Sequence, residues 1–544
     1  MHRRKFVKST FGYLAGIPLL GASLNSESLV SESSVSAATP NSGLIGTART
    51  PNHNVANGLY NLRYSDIALS RMENAVFPTH AAGENIAAAF ATDAEALRRY
   101  LEVFLNTPNH APLKIMGGGH NYIGASIGQG ANVINMRPLS HVEFKPDLKE
   151  IRIGAGSVFH EVNAFLFNHN RLNNSQWALP TGDCPNVGVA GYTMGGGQSL
   201  LSPLFGLACD RVKSMTVITL DFNSCTQRFE PTIRKLPDPA SITPAHDKDL
   251  LWALKGGGSW YGIVCDITYN IDQVPAAKIY SFTFDYRGPQ EAQQIFRDWS
   301  NFGFASPQTS SKFMYDMGQG IKIFGITPSD DDFNRLMDFF RARSRGNDAV
   351  RVHKDYGNNF NLENMYYTFV QCVDMQTCGT NNVVKEPTAF SASSSFLTRD
   401  QAWNQGRVIQ LFQKIVDSNQ IDPKPWYSYV QFTRWSGMIK DPGFAKNGAF
   451  AHRNLPDYEA QIYVSGPKAW SPLWSQWVDQ ASATLGPKLG SFLNHMHPSI
   501  AQNLEAYLGN DEVEWGKSRL QKLTDIHNFF DPKNILTPFS EAKR

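Results

Sequence analysis

Three glycine triplets punctuate the first half of this 544-residue chain: Gly117-Gly118-Gly119, Gly195-Gly196-Gly197 and Gly256-Gly257-Gly258. Consecutive glycines let backbone N–H groups close on a ligand and form concavities that hold an anion such as a pyrophosphate. The first triplet follows the short apolar run Leu113–Met116, so the backbone turns abruptly out of a strand. Neither GxGxxG in a strand–helix context nor GxxxxGK[ST] occurs, which argues against a dinucleotide-fold dehydrogenase and a P-loop NTPase. One triplet alone marks only a turn. Three need a common purpose.

Around the glycines the residue pattern alternates. Asp93–Asn106 and Val158–Asn168 carry apolar side chains at helical spacing, and Ala131–Met136, Ile151–Gly156, Met215–Phe222 and Gly262–Ile271 read as strands. Beyond Pro275 the character changes. Strands are expected at Lys278–Asp285, Met314–Asp316, Ile321–Ile326, Trp426–Thr433 and Ala460–Val464, with helices at Glu291–Phe302, Asp331–Arg343 and Arg399–Val416. The tail Glu514–Phe530 reads as one helix. The fold class is therefore α+β, with an antiparallel, helix-covered sheet following a first α+β unit. Fifty Lys and Arg against 48 Asp and Glu leave a net charge of +2 without a basic block, so no nucleic acid partner is expected.

The N-terminus reads as an address. Met1–Lys8 carries four cationic side chains and no acid, and Ser9–Ser26 carries no charge at all. That is the pattern of an export signal, and Gly12, Gly16, Pro18 and Gly21 make it a poor membrane span. The pair Arg3-Arg4, followed by Phe6 and Lys8, resembles the twin-arginine motif; cleavage after Ala22 or Ala37 is compatible with the pattern. Twin-arginine export carries folded proteins, so this address suggests a cofactor inserted before export. The mature chain is expected to be periplasmic or secreted, without an integral membrane segment.

The neighbours of the triplets make them specific. They lie in GGGHNYIG (Gly117–Gly124), PTGDCPNVGVAGYTMGGG (Pro180–Gly197) and DLLWALKGGGSWYGIV (Asp249–Val264). Downstream come AFAHR (Ala449–Arg453) and FFDPKNIL (Phe529–Leu536). In order and spacing these segments resemble the vanillyl-alcohol oxidase superfamily, with its PCMH-type FAD-binding domain, and specifically its berberine-bridge-enzyme-like branch. The resemblance runs from about residue 76 to the C-terminus, and it implies a strand at Ala449–Arg453. Charge and composition give a signal over 1–38 and a polar linker over 39–75, and the resemblance implies an FAD-binding domain over 76–275. A substrate domain over 276–495 and a return to the FAD-binding domain over 496–544 complete the expected organisation.

The resemblance also implies FAD attached twice. His120 matches the histidine bonded to the flavin 8α-methyl, and Cys184 matches the cysteine bonded to carbon 6. Imidazole and thiolate are suitable nucleophiles for an electrophilic isoalloxazine. Cofactor contacts are expected from Gly117, Gly118, Gly119, Asn121, Gly124, Thr181, Gly182, Val187 and Gly188. Gly191, Gly195, Gly196, Gly197, Gly262, Val264 and Asn494 complete that set. No metal is called for. Such a flavin takes hydride from a substrate carbon while a base takes the hydroxyl proton. Val187 occupies the family's oxygen-gating position, and its small side chain favours an oxidase using dioxygen over a dehydrogenase. Carbohydrates or other alcohols outside the cytoplasm are the expected donors, with a secondary-metabolite alcohol as the alternative, or a catalytically silent binding protein.

The base departs from the family pattern. Where relatives carry Tyr-x-Asn-Tyr, this chain has Phe492-Leu493-Asn494-His495. His495 is the replacement candidate, since an ordinary imidazole titrates near working pH. Tyr122 competes with it, as do Glu459 and Gln461, which share one face of a strand. Met116 replaces a usual arginine, and Gln198 stands where plant members often have an aromatic residue. Among the other cysteines, Cys372 and Cys378 are expected to form a small-loop disulfide, with Cys209, Cys225 and Cys265 as buried thiols. The tryptophans Trp177, Trp252, Trp260, Trp403, Trp426 and Trp435 are candidate sugar-stacking faces.

Overall fold

The computed structural model describes residues 47–48, 87–90, 93–123, 125–126, 131–184, 187–237, 244–284, 287–343, 365, 389–403, 405–466, 472–497, 503–514 and 516–536. The export signal, Gly124 and the Cys372–Cys378 pair lie outside them.

Two sheets build the first half. One orders β1 (Thr47–Ala48), β2 (Ala87–Phe90), β3 (Leu113–Met116) and β4 (Asn132–Asn135) as β1-β2-β4-β3, with β2 and β3 both parallel to β4. The parallel crossover from β2 is helix α1 (Ala94–Leu105), capped by the Asp93 carboxylate accepting from Ala96 N–H at 2.7 Å. The second sheet comprises β5 (Val142–Lys145), β6 (Glu150–Gly154), β7 (Val212–Thr219), β8 (Thr232–Leu236) and β9 (Ile263–Asn270), antiparallel in the order β8-β7-β9-β6-β5. Helix α2 (Phe159–Asn173) follows β6, and the short α3 (Val189–Met194) runs into the second glycine triplet.

The second half is one antiparallel sheet of six strands. They are β10 (Lys278–Phe284), β11 (Lys312–Asp316), β12 (Ile321–Thr327), β13 (Ala389–Leu397), β14 (Tyr427–Arg434) and β15 (Tyr458–Gly466), in the order β10-β12-β11-β14-β15-β13. One face packs on helices that include α4 (Pro289–Ser300) and α5 (Gln405–Asp417), around Phe282, Phe296, Phe313, Phe412 and Phe432. A separate core joins α1, α2 and the β5–β9 sheet to the C-terminal helix α6 (Arg519–Phe530). Ala449, Leu493 and Met496 already belong to that first core. No helix among the described residues is long and apolar enough to cross a membrane.

Three sequence expectations change. The tail helix begins at Arg519, where Ser518 Oγ accepts from Gln521 N–H at 3.3 Å. Glu512–Glu514 and Lys517–Ser518 instead pair as a small hairpin. Ala449–Arg453 is irregular rather than a strand. Cys225 is exposed in the turn after Asn223, whose side chain accepts from the Cys225 N–H at 3.0 Å, whereas Cys209 and Cys265 are buried.

Candidate active site

A cavity of about 360 Å³ lies between the glycine loops and the six-stranded sheet. Its floor begins where β3 ends in Gly117, Gly118 and Gly119, continuing into His120, Asn121 and Tyr122. Asn121 Oδ1 accepts from the N–H groups of Ile123 and Ala125 at 3.0 and 2.9 Å, which folds this loop on itself. The second loop brings Gly182, Asp183, Cys184 and Val187 to the same cavity. The two loops touch backbone to backbone. A Cβ on Gly188 would lie 2.4 Å from Gly118 N, so glycine is required for the approach that brings His120 and Cys184 onto one surface.

The opposite wall is a strand ladder. Lys312 and Met314 on β11, Lys322 and Phe324 on β12, Tyr429 and Gln431 on β14, and Gln461 and Tyr463 on β15 all line it. Residues two apart share a face, and the register sets Met314 opposite both Lys322 and Gln431, with Gln431 opposite Gln461. Tyr429 and Tyr463 stack with centroids 5.0 Å apart. Gln461 links Tyr429 Oη at 3.3 Å to Tyr122 Oη at 3.0 Å, joining the two walls. Burial, reinforced by Tyr122, Tyr463 and Cys184, holds the Tyr429 hydroxyl well above the ordinary tyrosine range, so it stays a neutral donor. The Lys312 ammonium, 2% exposed, pairs with Asp183, the neighbour of Cys184.

Most of the expected site residues meet here. Gly191, Gly195, Gly262, Val264, Asn494 and His495 line the cavity, with His120, Tyr122, Cys184, Val187, Gly188 and Gln461. Asn494 also ties the second glycine segment: its amide donates to Tyr192 O at 3.2 Å, and its Oδ1 accepts from Gly197 N–H at 3.3 Å. Other expected residues lie off this lining. Thr181 is buried beside Asn163 and does not reach the cavity. Gly196 and Gly197 sit behind it with φ of +115° and +79°. A Cβ there would strike Phe450 or Tyr192 and Ala208, so they serve the turn and its packing. Glu459 is fully buried behind His495 rather than on the cavity wall. Of the candidate tryptophans with described side chains, Trp260 alone lines the cavity; Trp177 and Trp435 are core, and Trp426 is exposed.

Sequence reasoning missed the Lys312–Asp183 pair, Lys322, Tyr429, Gln431 and Tyr463. The signal was present for Tyr463, which lies two residues beyond Gln461 and so on the same face. The others required knowing which strands are neighbours.

Comparison with known proteins agrees with this arrangement. Residues 86–221 match a family described as FAD binding domain. An FAD-linked oxidoreductase of Pyricularia oryzae is 28% identical over 436 residues, covering 78% of both chains. Another from Bacillus subtilis is 28% identical over 195 residues, 36% of this chain and 39% of that protein, so the match spans about two fifths of that relative. The berberine-bridge-enzyme-like protein 1 of Physcomitrella patens superposes with a TM-score of 0.64 at 19% identity, covering 83% of this chain and 90% of that one. Residues 86–221 therefore carry an FAD-binding domain, in a chain that shares the fold of the berberine-bridge-enzyme-like proteins. The flavoprotein also shares its fold with the glucooligosaccharide oxidase of Acremonium strictum, at a TM-score of 0.64 and 19% identity over 82% of this chain and 90% of the other. That oxidase is described as holding a 6-S-cysteinyl, 8α-N1-histidyl FAD.

Proposed function

We propose that this flavoprotein oxidises a CH–OH group of a carbohydrate or another alcohol, with FAD attached through both His120 and Cys184. Dioxygen is the acceptor in this reading and hydrogen peroxide the second product. The observation that carries it is the convergence of an imidazole and a thiol from two glycine-backed loops on one cavity. The residues fit the group: two nucleophiles face one space, and glycine backbone flanks both. The bicovalent flavin of the Acremonium strictum oxidase supports the same assignment.

When bound, FAD supplies the hydride acceptor. The chain supplies the rest. Gln431, Gln461 and the stacked Tyr429–Tyr463 pair offer a polar, aromatic wall suited to hydroxyl-rich donors. His495 takes the hydroxyl proton, a contribution of about 10²–10⁴ in rate. Val187, small and set beside Cys184, leaves room for dioxygen under the oxidase reading. The twin-arginine signal would carry the loaded protein out of the cytoplasm.

The test is retention of flavin through acid precipitation. Native protein should keep its yellow colour in the pellet, as should His120→Ala and Cys184→Ala singly, while the double variant releases it. Free flavin from the unmodified protein would end the bicovalent assignment. A panel of oligosaccharides and alcohols, read by anaerobic bleaching and then by peroxide in air, tests the donor class. A flavin that no donor bleaches would favour a binding protein.

A further inference from the structure

The expected tyrosine is replaced by Phe492, and a different pair of ionisable groups stands next to it. Phe492 meets the His495 ring edge-on at 5.1 Å, and Tyr122 meets it edge-on at 5.3 Å. Held between them, the imidazole presents Nδ1 to Glu459 Oε1 at 3.1 Å. His495 lines the cavity, whereas Glu459 has no exposed surface. The second carboxylate oxygen, Oε2, is buried without a hydrogen-bond partner among the described residues. Thr433 stands directly opposite Glu459 on β14, and its hydroxyl is likewise unpartnered.

An ionised carboxylate only accepts hydrogen bonds, so this contact puts a proton on Nδ1 and leaves Nε2 with its lone pair. A buried carboxylate with an unused oxygen is an unfavourable charge unless a cation stands beside it. His495 is the group in contact that can become one. The other titratable groups on this lining are Lys114, His120, Tyr122, Asp183, Cys184 and Tyr192 from the floor, and Lys312, Lys322, Tyr429 and Tyr463 from the ladder.

We propose that Glu459 is the positioning residue of a Glu459–His495 proton-accepting unit. The buried carboxylate fixes the tautomer in which Nε2 is the acceptor, then stabilises the imidazolium formed when a substrate hydroxyl gives up its proton. In that step the O–H bond breaks and an Nε2–H bond forms. The electron pair left on oxygen becomes the second carbon–oxygen bond, while the same carbon gives its hydride to the bound flavin, the two-electron oxidant. The chemistry rests on the oxidoreductase reading; the tautomer does not.

The experiment is therefore run without substrate. In ¹⁵N-histidine-labelled holoprotein, long-range proton–nitrogen correlation reads both ring nitrogens of His495, assigned by their loss in His495→Gln. The expected pattern is a protonated Nδ1, an unprotonated Nε2, and an Nδ1 proton far downfield of the backbone amides. Glu459→Met, similar in length and apolar, should remove the downfield signal and shift the tautomer ratio on the order of tenfold or more. Glu459→Gln, which still accepts, should keep the tautomer with a less displaced proton. Native His495 protonated on Nε2 while neutral overturns the proposal, as does a Glu459→Met spectrum unchanged from native. The native spectrum decides even if a variant fails to fold. A peroxide-negative donor panel alongside the expected spectrum would sink the oxidase reading and leave the tautomer standing.

Discussion

His452 illustrates how burial fixes one side chain's charge. Its Nε2 lies 3.0 Å from Ala506 O and 3.2 Å from Tyr507 O, and both carbonyls accept, so Nε2 carries the proton. Burial pulls the imidazole down to about 4. The sign follows: between an unfolded value near ~6.5 and about 4 in the native protein, the unfolded chain binds a proton that the native one refuses. Stability should fall as pH drops through that window, by about 3 kcal/mol from this residue. Urea unfolding at pH 7 and pH 4.5 should show the loss, and His452→Gln should flatten it; an equal loss in the variant would assign it elsewhere. At this scale the sequence was legible in placement: the motifs that single out His120 and Cys184 do bring both residues to one cavity. It was less so for Glu459 and Gln461. Strand parity correctly puts them on one face, but the row of Glu459 is covered by His495, and parity carries no information about depth.

Elements were readable in proportion to their apolar periodicity. The β3 bounds match the expected Leu113–Met116, because apolar residues end there at a glycine turn. Strand β13 was missed. Its core-facing positions include Ser391, Ser393 and Ser395, which are buried although serine signals loops. The link between the Ala208–Arg211 turn of helix and the irregular Ala449–Arg453 segment was equally hidden, since it joins residues 243 positions apart. There the Arg453 guanidinium grips the Asp210 carboxylate through two bonds of 2.9 and 2.5 Å, both side chains 1% exposed. Removing one partner leaves an uncompensated buried charge, so Arg453→Met should destabilise by about 3–5 kcal/mol. Adding Asp210→Leu should recover part of that, measured as the shift in urea midpoint. A single variant as stable as native protein would show that the pair contributes nothing.

At the scale of the whole molecule, the cavity owes its existence to two cores that the chain visits in turn, the first reached again by Leu493, Met496 and α6. The sequence showed the change of character after Pro275 but not the strand order that lays β14 and β15 beside β11. The proposed export route makes a prediction at this scale. Changing Arg3-Arg4 to a lysine pair should leave flavin-loaded precursor inside the cell, measured by fractionation and flavin fluorescence. Unchanged export would assign the signal to a route that carries unfolded chains. The ladder wall has a consequence for descent and redesign. Its eight cavity-facing positions sit on four strands whose backbone bonds do not depend on which side chain each position bears. A lineage or a laboratory library can therefore rewrite such letters to meet a new donor, one substitution at a time, and the floor that would hold the flavin is inherited intact as long as Lys312 keeps Asp183 and Gln461 keeps Tyr122.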